Sequence, residues 1–289
     1  MTGTQLQHLL LPRSKVKIFY RESGKETDPV ILLLHGFPSS SHQYRNLIPI
    51  LATKYRVLAP DLPGFGFSFT PEDFTYTFDN LANVVSEFLD ELSIKKFSMY
   101  IFGYGAPTGL RVALERPDAV QAIITQSGNA YEEGHGSFWD SIRELWKSNN
   151  RETVREELAE DMFSLETTKH QYSRGTQKGR VIAPEAYHLD YALLQRPFQR
   201  RIQLDLFWDY RNNLTLYPKF QEYFRQSQVP LLAAWGINDK IFIPAGAEAF
   251  KRDLPEAEVH LLDGGHFAAE TETEEIGGLI LEFLAKCGI

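Results

Sequence analysis

Three short stretches carry groups suited to making and breaking bonds. In "GGHFAAE" (264–270), His266 follows two glycines just past an apolar run. An unperturbed imidazole ionises near pH 6.5, so a histidine at such a strand end suits general-base work, and the two glycines are expected to let it swing over the sheet edge. A working histidine needs an acid on its other ring nitrogen. Asp239 in "WGINDKIF" (235–242) is favoured for that role, with Asn238 as an ordinary turn former and Glu132 and Glu133 as the alternatives. In "HGFPSS" (35–40) a glycine followed by X-Pro fixes a tight turn, with a cis bond expected before Pro38. Such a turn aims the backbone N–H of Phe37 into a pocket, while serines 39–41 cap the helical stretch that follows.

A fourth stretch is built to display a side chain and has none. "FSMYIFGYGAPTGL" (97–110) reads as a buried strand, a Gly-rich turn and a helix, with Gly103 at the crest and Tyr104 next. Glycine suits the strained, positive-φ backbone of such a turn. No Ser, Cys or Asp stands close enough to substitute: Ser98 lies inside the strand and Ser127 follows a different one.

These turns need a sheet to hold them. "VKIFYRES" (16–23) reads as the first strand, "VILLLHG" (30–36) and "YRVLAPDLPG" (55–64) as buried strands, and "AVQAIITQSG" (119–128) as the sixth. Between them "TFDNLANVVSEFLDELSI" places Phe78, Leu81, Val85, Phe88, Leu89 and Leu92 on one helical face. From 129 to 228 the texture changes to charged helices studded with aromatics, including Trp139, Trp146 and Trp208. Strand–helix alternation resumes at "VPLLAAWGIND" (229–239) and "AEVHLLDGGHF" (257–267). The pattern predicts a core of 1–128 and 229–289, with 129–228 inserted as a helical cap, or lid, over the strand C-termini, where open α/β sheets bind ligands.

The 289 residues are 43% hydrophobic with a formal net charge of −8 and no Lys/Arg-rich run, which disfavours nucleic acid and anionic membranes as partners. One cysteine, Cys287, excludes an internal disulfide. The first fifteen residues lack a secretory pattern, and no window is apolar over about 18 residues, so a cytoplasmic chain is expected. Nothing in the sequence points to a metal or an organic cofactor: there is no H-E-x-x-H and no P-loop, and "GFGFS" (64–68) lacks the helix-opening context of a dinucleotide turn.

Together the motifs resemble the α/β-hydrolase superfamily, in its epoxide hydrolase and haloalkane dehalogenase branch. "HGFPSS" resembles that branch's H-G-x-P oxyanion turn, and "APDLPGFGFS" its D-x-x-G-x-G-x-S loop. "YGAPTGLRVALERP" resembles its nucleophile elbow and following helix, "WGIND" its acid turn and "GGHF" its base turn. The resemblance implies a mostly parallel eight-stranded sheet flanked by helices, with the lid between strands 6 and 7. It places the nucleophile position on Gly103, where the branch carries Asp, and the oxyanion donors on the N–H groups of Phe37 and Tyr104. Asp239 and His266 then complete the catalytic set, and the branch's ester chemistry lacks its first participant.

Within the branch, dehalogenases hold the leaving halide with side-chain N–H donors at positions where this chain has Phe37 and Tyr104, leaving Trp139 as a possible single donor. Epoxide hydrolases use lid tyrosines, for which "FWDYRNN" (207–213) nominates Tyr210 and "TTKHQYSRG" (167–175) nominates Tyr172. The favoured expectation is therefore an epoxide hydrolase-like enzyme, monomeric or homodimeric, for a small, mostly apolar substrate lined by Tyr210, Tyr172, Trp139 and Phe37. The alternatives are a haloalkane dehalogenase-like enzyme, a non-covalent His266-dependent enzyme, and a non-catalytic ligand-binding relative or sensor.

Overall fold

The computed structural model describes residues 3–289. Eight strands form one sheet: β1 (Gln5–Leu10), β2 (Lys17–Ser23), β3 (Val30–Leu34), β4 (Arg56–Pro60), β5 (Phe97–Phe102), β6 (Val120–Gln126), β7 (Leu231–Gly236) and β8 (Glu258–Leu262). Their order is β1-β2-β4-β3-β5-β6-β7-β8. β2 pairs antiparallel with both β1 and β4, and every other pairing is parallel. β1 precedes the segment read as the first strand. Its sequence QLQHLL lies at the sheet edge with Leu6 and Leu10 exposed, so it lacks the buried apolar run that marks the central strands.

The central strands are apolar on both faces because both faces are covered. In β3, Leu32 and Leu34 enter the core beneath α2 (Phe78–Glu91) and α3 (Gly105–Glu115), while Ile31 and Leu33 enter the opposite core. That second core is closed by α1 (Leu47–Leu51) and the C-terminal helix (Thr273–Lys286). α2 begins where the Thr77 hydroxyl accepts from the Asn80 N–H at 3.2 Å, and it buries Phe78, Leu81, Val85, Phe88 and Leu89. Each such side chain contributes about 1.5–3 kcal/mol.

Six helices lie between β6 and β7: α4 (Trp139–Lys147), α5 (Glu152–Met162), α6 (Leu165–Ser173), α7 (Pro184–Leu194), α8 (Gln199–Asp209) and α9 (Arg211–Ser227). They dock on the core through specific polar contacts. The Phe78 N–H donates to Asp209 Oδ2 at 2.8 Å. Arg111 of α3 bonds Asn213 of α9 at 2.7 Å and Asp79 of α2 at 2.6 Å. Among the described residues, no helix is long and apolar enough to cross a membrane, and no group of acids, histidines and cysteines is arranged to hold a metal ion.

Candidate active site

The sequence-predicted residues sit at the ends of adjacent strands. β5 ends at Phe102, and Gly103 turns the chain into α3 with φ +49°. Its N–H donates to the Ser127 carbonyl at 3.3 Å, and its own carbonyl accepts from the Ala106 N–H at 3.0 Å. Beyond its chain neighbours, a Cβ built at Gly103 meets only Gly36 Cα, at 3.4 Å, so the first atom of a side chain fits at the crest. Gly105 is different: a Cβ there would lie 2.1 Å from the Leu34 carbonyl oxygen, so this glycine permits α3 to cross β3 closely. The Phe37–Pro38 bond is cis, as expected. Among the described residues neither the Phe37 nor the Tyr104 N–H has an acceptor. Tyr104 opens α3, where the first N–H groups lack intrahelical partners.

Asp239 and His266 meet. His266 Nδ1 lies 2.9 Å from Asp239 Oδ2, and the two residues are 4% and 1% exposed. The carboxylate is fully engaged. Oδ1 accepts from the N–H groups of Ile241 (2.8 Å) and Phe242 (3.2 Å), and Oδ2 also accepts from the Ser127 hydroxyl at 2.7 Å. A carboxylate beside Nδ1 selects the tautomer with its proton there, which leaves Nε2 as the basic nitrogen. The imidazole packs on Phe102 with ring centroids 4.7 Å apart. It lines a cavity of about 450 Å³ whose wall mixes Phe138, Met162 and Ile241 with the charged Asp140, Asp161 and Lys240, and to which Gly103, Phe37, Tyr104, Trp139, Tyr172 and Tyr210 do not contribute.

The base loop corrects one expectation. Gly265 does not let His266 swing but lets backbones approach, whereas a Cβ on Gly264 would first meet the Glu272 side chain, at 3.3 Å. A Cβ on Gly265 would lie 2.0 Å from the Arg174 carbonyl oxygen, and one on Gly236 would lie 2.1 Å from the Gly265 carbonyl oxygen. Neither Gly264 nor Gly265 has positive φ. The loop is wedged between β7 and the turn that ends α6, and Glu270 beyond it holds Arg45 through both guanidinium nitrogens, at 2.5 and 3.0 Å.

Of the four nominated lining residues, three form one aromatic group near the elbow. Tyr210 is fully buried, with its ring 4.2 Å from Trp139 and 5.7 Å from Tyr104. Phe37 packs on Phe207 at 5.0 Å and faces Tyr104 at 6.1 Å. Burial pushes the Tyr210 phenol well above its ordinary range, so it stays protonated and offers an O–H. That hydroxyl lies 3.5 Å from Tyr217 Oη, which lies 3.2 Å from His135 Nε2. Among the described residues, the indole Nε1 of Trp139 and the hydroxyl of Tyr104 are buried without a partner. Tyr172 is placed apart. Its ring stacks on Phe267 at 3.8 Å, and its hydroxyl is committed to Asp190 Oδ2 at 2.5 Å, with Ser39 Oγ at 3.4 Å.

Glu132 and Glu133, the alternative acids, are exposed, and Glu133 pairs with Arg252 at 2.5 Å. Sequence reasoning passed over Ser127, Gln126 and Asp190. Gln126 Nε2 donates to the His266 carbonyl and to Ser127 Oγ, both at 2.7 Å. The one signal available was the polar pair Gln126-Ser127 closing an apolar strand.

Comparison with known proteins bears on the family and the fold. Residues 29–273 match the family model described as alpha/beta hydrolase fold. An uncharacterized hydrolase of Saccharomyces cerevisiae is 47% identical over 281 residues, covering 96% of this chain and 97% of its own. The haloalkane dehalogenase DbeA of Bradyrhizobium elkani superposes with a TM-score of 0.80 at 23% identity, over 99% of both chains. The epoxide hydrolase CorEH superposes with a TM-score of 0.78 at 18% identity, over 98% of this chain and 99% of its own. At those identities the two structures speak to the fold.

Proposed function

The chain belongs to the alpha/beta-hydrolase fold family, and from that premise we propose an epoxide hydrolase-like enzyme for a small, mostly apolar substrate, in a form whose nucleophile position, Gly103, is bare. The observation that carries this reading is the Asp239–His266 pair, with Nδ1 on the carboxylate at 2.9 Å and the ring on a cavity wall. The segment 129–228 is read as the lid, which gives Phe138, Met162 and Gln171 to that cavity and carries Tyr210 and Trp139 beside Tyr104 at the elbow.

Each residue then has a task. A carboxylate at position 103 would attack an epoxide carbon, breaking the C–O bond, while Tyr210 gives its phenolic proton to the departing oxygen. His266 Nε2 would next take a proton from water, and the hydroxide formed would attack the ester carbonyl. The N–H groups of Phe37 and Tyr104, free of other acceptors, would hold the oxyanion. In this chain Gly103 supplies no carboxylate and no ester forms. His266 and Asp239 are left to activate a water directly, beside the open crest of the turn.

A dehalogenase-like reading draws on one observation, the unpartnered Nε1 of Trp139, which a departing halide would satisfy. The variant Gly103→Asp decides between them. It is mixed with an aryl epoxide or a bromoalkane, quenched within a turnover, and the peptide containing residue 103 is weighed. Epoxide chemistry adds the whole epoxide mass; dehalogenase chemistry adds the alkyl group without bromine. Absence of both adducts, with His266→Gln introduced to block ester hydrolysis, overturns the covalent reading.

A further inference from the structure

We infer that Ser127 is a positioning residue that shares the charge of Asp239 Oδ2 with His266 and so sets the strength of the Asp239–His266 bond, an inference that rests on reading Asp239 and His266 as the catalytic pair. Ser127 is wholly buried and sits at φ +53°, a left-handed conformation that side chains disfavour and glycine accepts freely. A serine kept where glycine would relax the backbone calls for a use of its hydroxyl. The structure gives one: Oγ donates to Asp239 Oδ2 at 2.7 Å. The same residue's carbonyl accepts from the Gly103 N–H at 3.3 Å, so one residue touches both the acid and the elbow.

The direction of every proton in this chain of contacts is determined. The His266 carbonyl can only accept, so the Gln126 end beside it is Nε2, which also reaches Ser127 Oγ. Oε1 then faces Tyr100, whose hydroxyl donates to it at 3.3 Å. With its lone pair so occupied, the Ser127 hydroxyl turns its hydrogen toward Asp239. Gln126 thus orients Ser127 and anchors the base loop together.

Two donors, Ser127 and His266, compete for one carboxylate oxygen. The other oxygen, Oδ1, is held independently by the N–H groups of Ile241 and Phe242. Loss of the Ser127 hydroxyl therefore leaves Asp239 in place. What changes is the charge on Oδ2, which His266 alone would then meet, so its Nδ1–H bond tightens.

The test uses the chain as it stands, labelled with ¹⁵N-histidine, and reads the His266 Nδ1–H proton resonance, assigned through His266→Gln. Ser127→Ala and Ser127→Gly are each expected to move that resonance downfield by the same amount, although only the glycine variant relaxes the left-handed backbone. Ser127→Gly carries the test if Ser127→Ala fails to fold. An unmoved or upfield resonance in the folded variants overturns the inference. Asp239→Asn separates the two readings. If it leaves the resonance unchanged, the catalytic pair itself is misassigned; if it abolishes or shifts the signal upfield while the Ser127 variants do nothing, only the role of Ser127 fails.

Discussion

Gly103 and Gly105 lie two residues apart in one turn, yet the structure asks different things of them. At Gly103 the demand is on φ alone: the added Cβ would meet Gly36 Cα at an ordinary 3.4 Å. A left-handed backbone costs a side chain about 1–2 kcal/mol. At Gly105 the demand is on space, because a Cβ 2.1 Å from the Leu34 carbonyl oxygen forces α3 away from β3. Overpacking of that kind costs about 1–3 kcal/mol at least. Gly103→Asp is therefore expected to fold with a denaturation midpoint lowered by the smaller cost, and Gly105→Ala to lose more or fail to fold. Urea unfolding of both variants checks the ranking, and equal losses would contradict it. The comparison also bears on how Gly103 should be understood. A turn that holds Gly103 at φ +49° with room for a Cβ retains the shape of a display turn.

At the scale of elements, the docking of α6 and α7 against the core turns on a buried acid. Asp190 of α7 is fully buried, with Oδ2 on the Tyr172 hydroxyl and Oδ1 without a partner among the described residues. Burial pushes its carboxyl well above the ordinary range, and the Tyr172 and Ser39 bonds only partly oppose this. An acid whose folded value is raised contributes stability at low pH and loses it as pH climbs through that value, at up to about 1.4 kcal/mol per pH unit for one proton. Asp190→Asn should remove that loss, seen as a melting temperature that falls less than the parent's as pH rises from the unfolded carboxylate value near 4; an unchanged slope would count against it. Little of this docking could be read from sequence. Asp190 looks like any polar helix position in YHLDYALL, and its burial depends on which loop α7 meets. The parallel core was legible because strands covered on both faces are continuously apolar, as in VILLL. β1 was not, because an edge strand alternating Gln with Leu carries no such run. His266 and Asp239 were legible because each follows a strand directly. Ser127 was not, because its partner lies 112 positions away and meets it only through the pairing of β6 with β7.

Across the whole molecule, the helical insertion and the core are also joined at His135, and this joint sets an acid limit. His135 bridges to Phe242 of the acid loop, stacks on Tyr217 of α9 and accepts that tyrosine's hydroxyl at Nε2. Burial, with Arg143 adding to it, lowers the imidazole to about 4. A histidine held neutral contributes stability above its unfolded value near 6.5 and loses it as pH falls through the folded one. Over that window the loss is on the order of 2–3 kcal/mol. Protonation would also turn Nε2 from acceptor to donor, so the Tyr217 hydroxyl would have to reverse its bond. The formal charge of −8 acts in the opposite sense, since acidification relieves repulsion among the carboxylates. The net trend of one protein with pH therefore mixes the two, and a variant separates them. His135→Gln keeps an acceptor for Tyr217, cannot titrate, and shares every other charge, including His42, which burial also lowers to about 4. The difference in unfolding free energy between the two proteins should be nearly constant above pH 6.5 and should shift in favour of His135→Gln as pH falls from 6.5 to 4. Chemical denaturation at half-unit pH steps measures it, and a difference that stays flat across that window would show that His135 is not the group that limits acid stability.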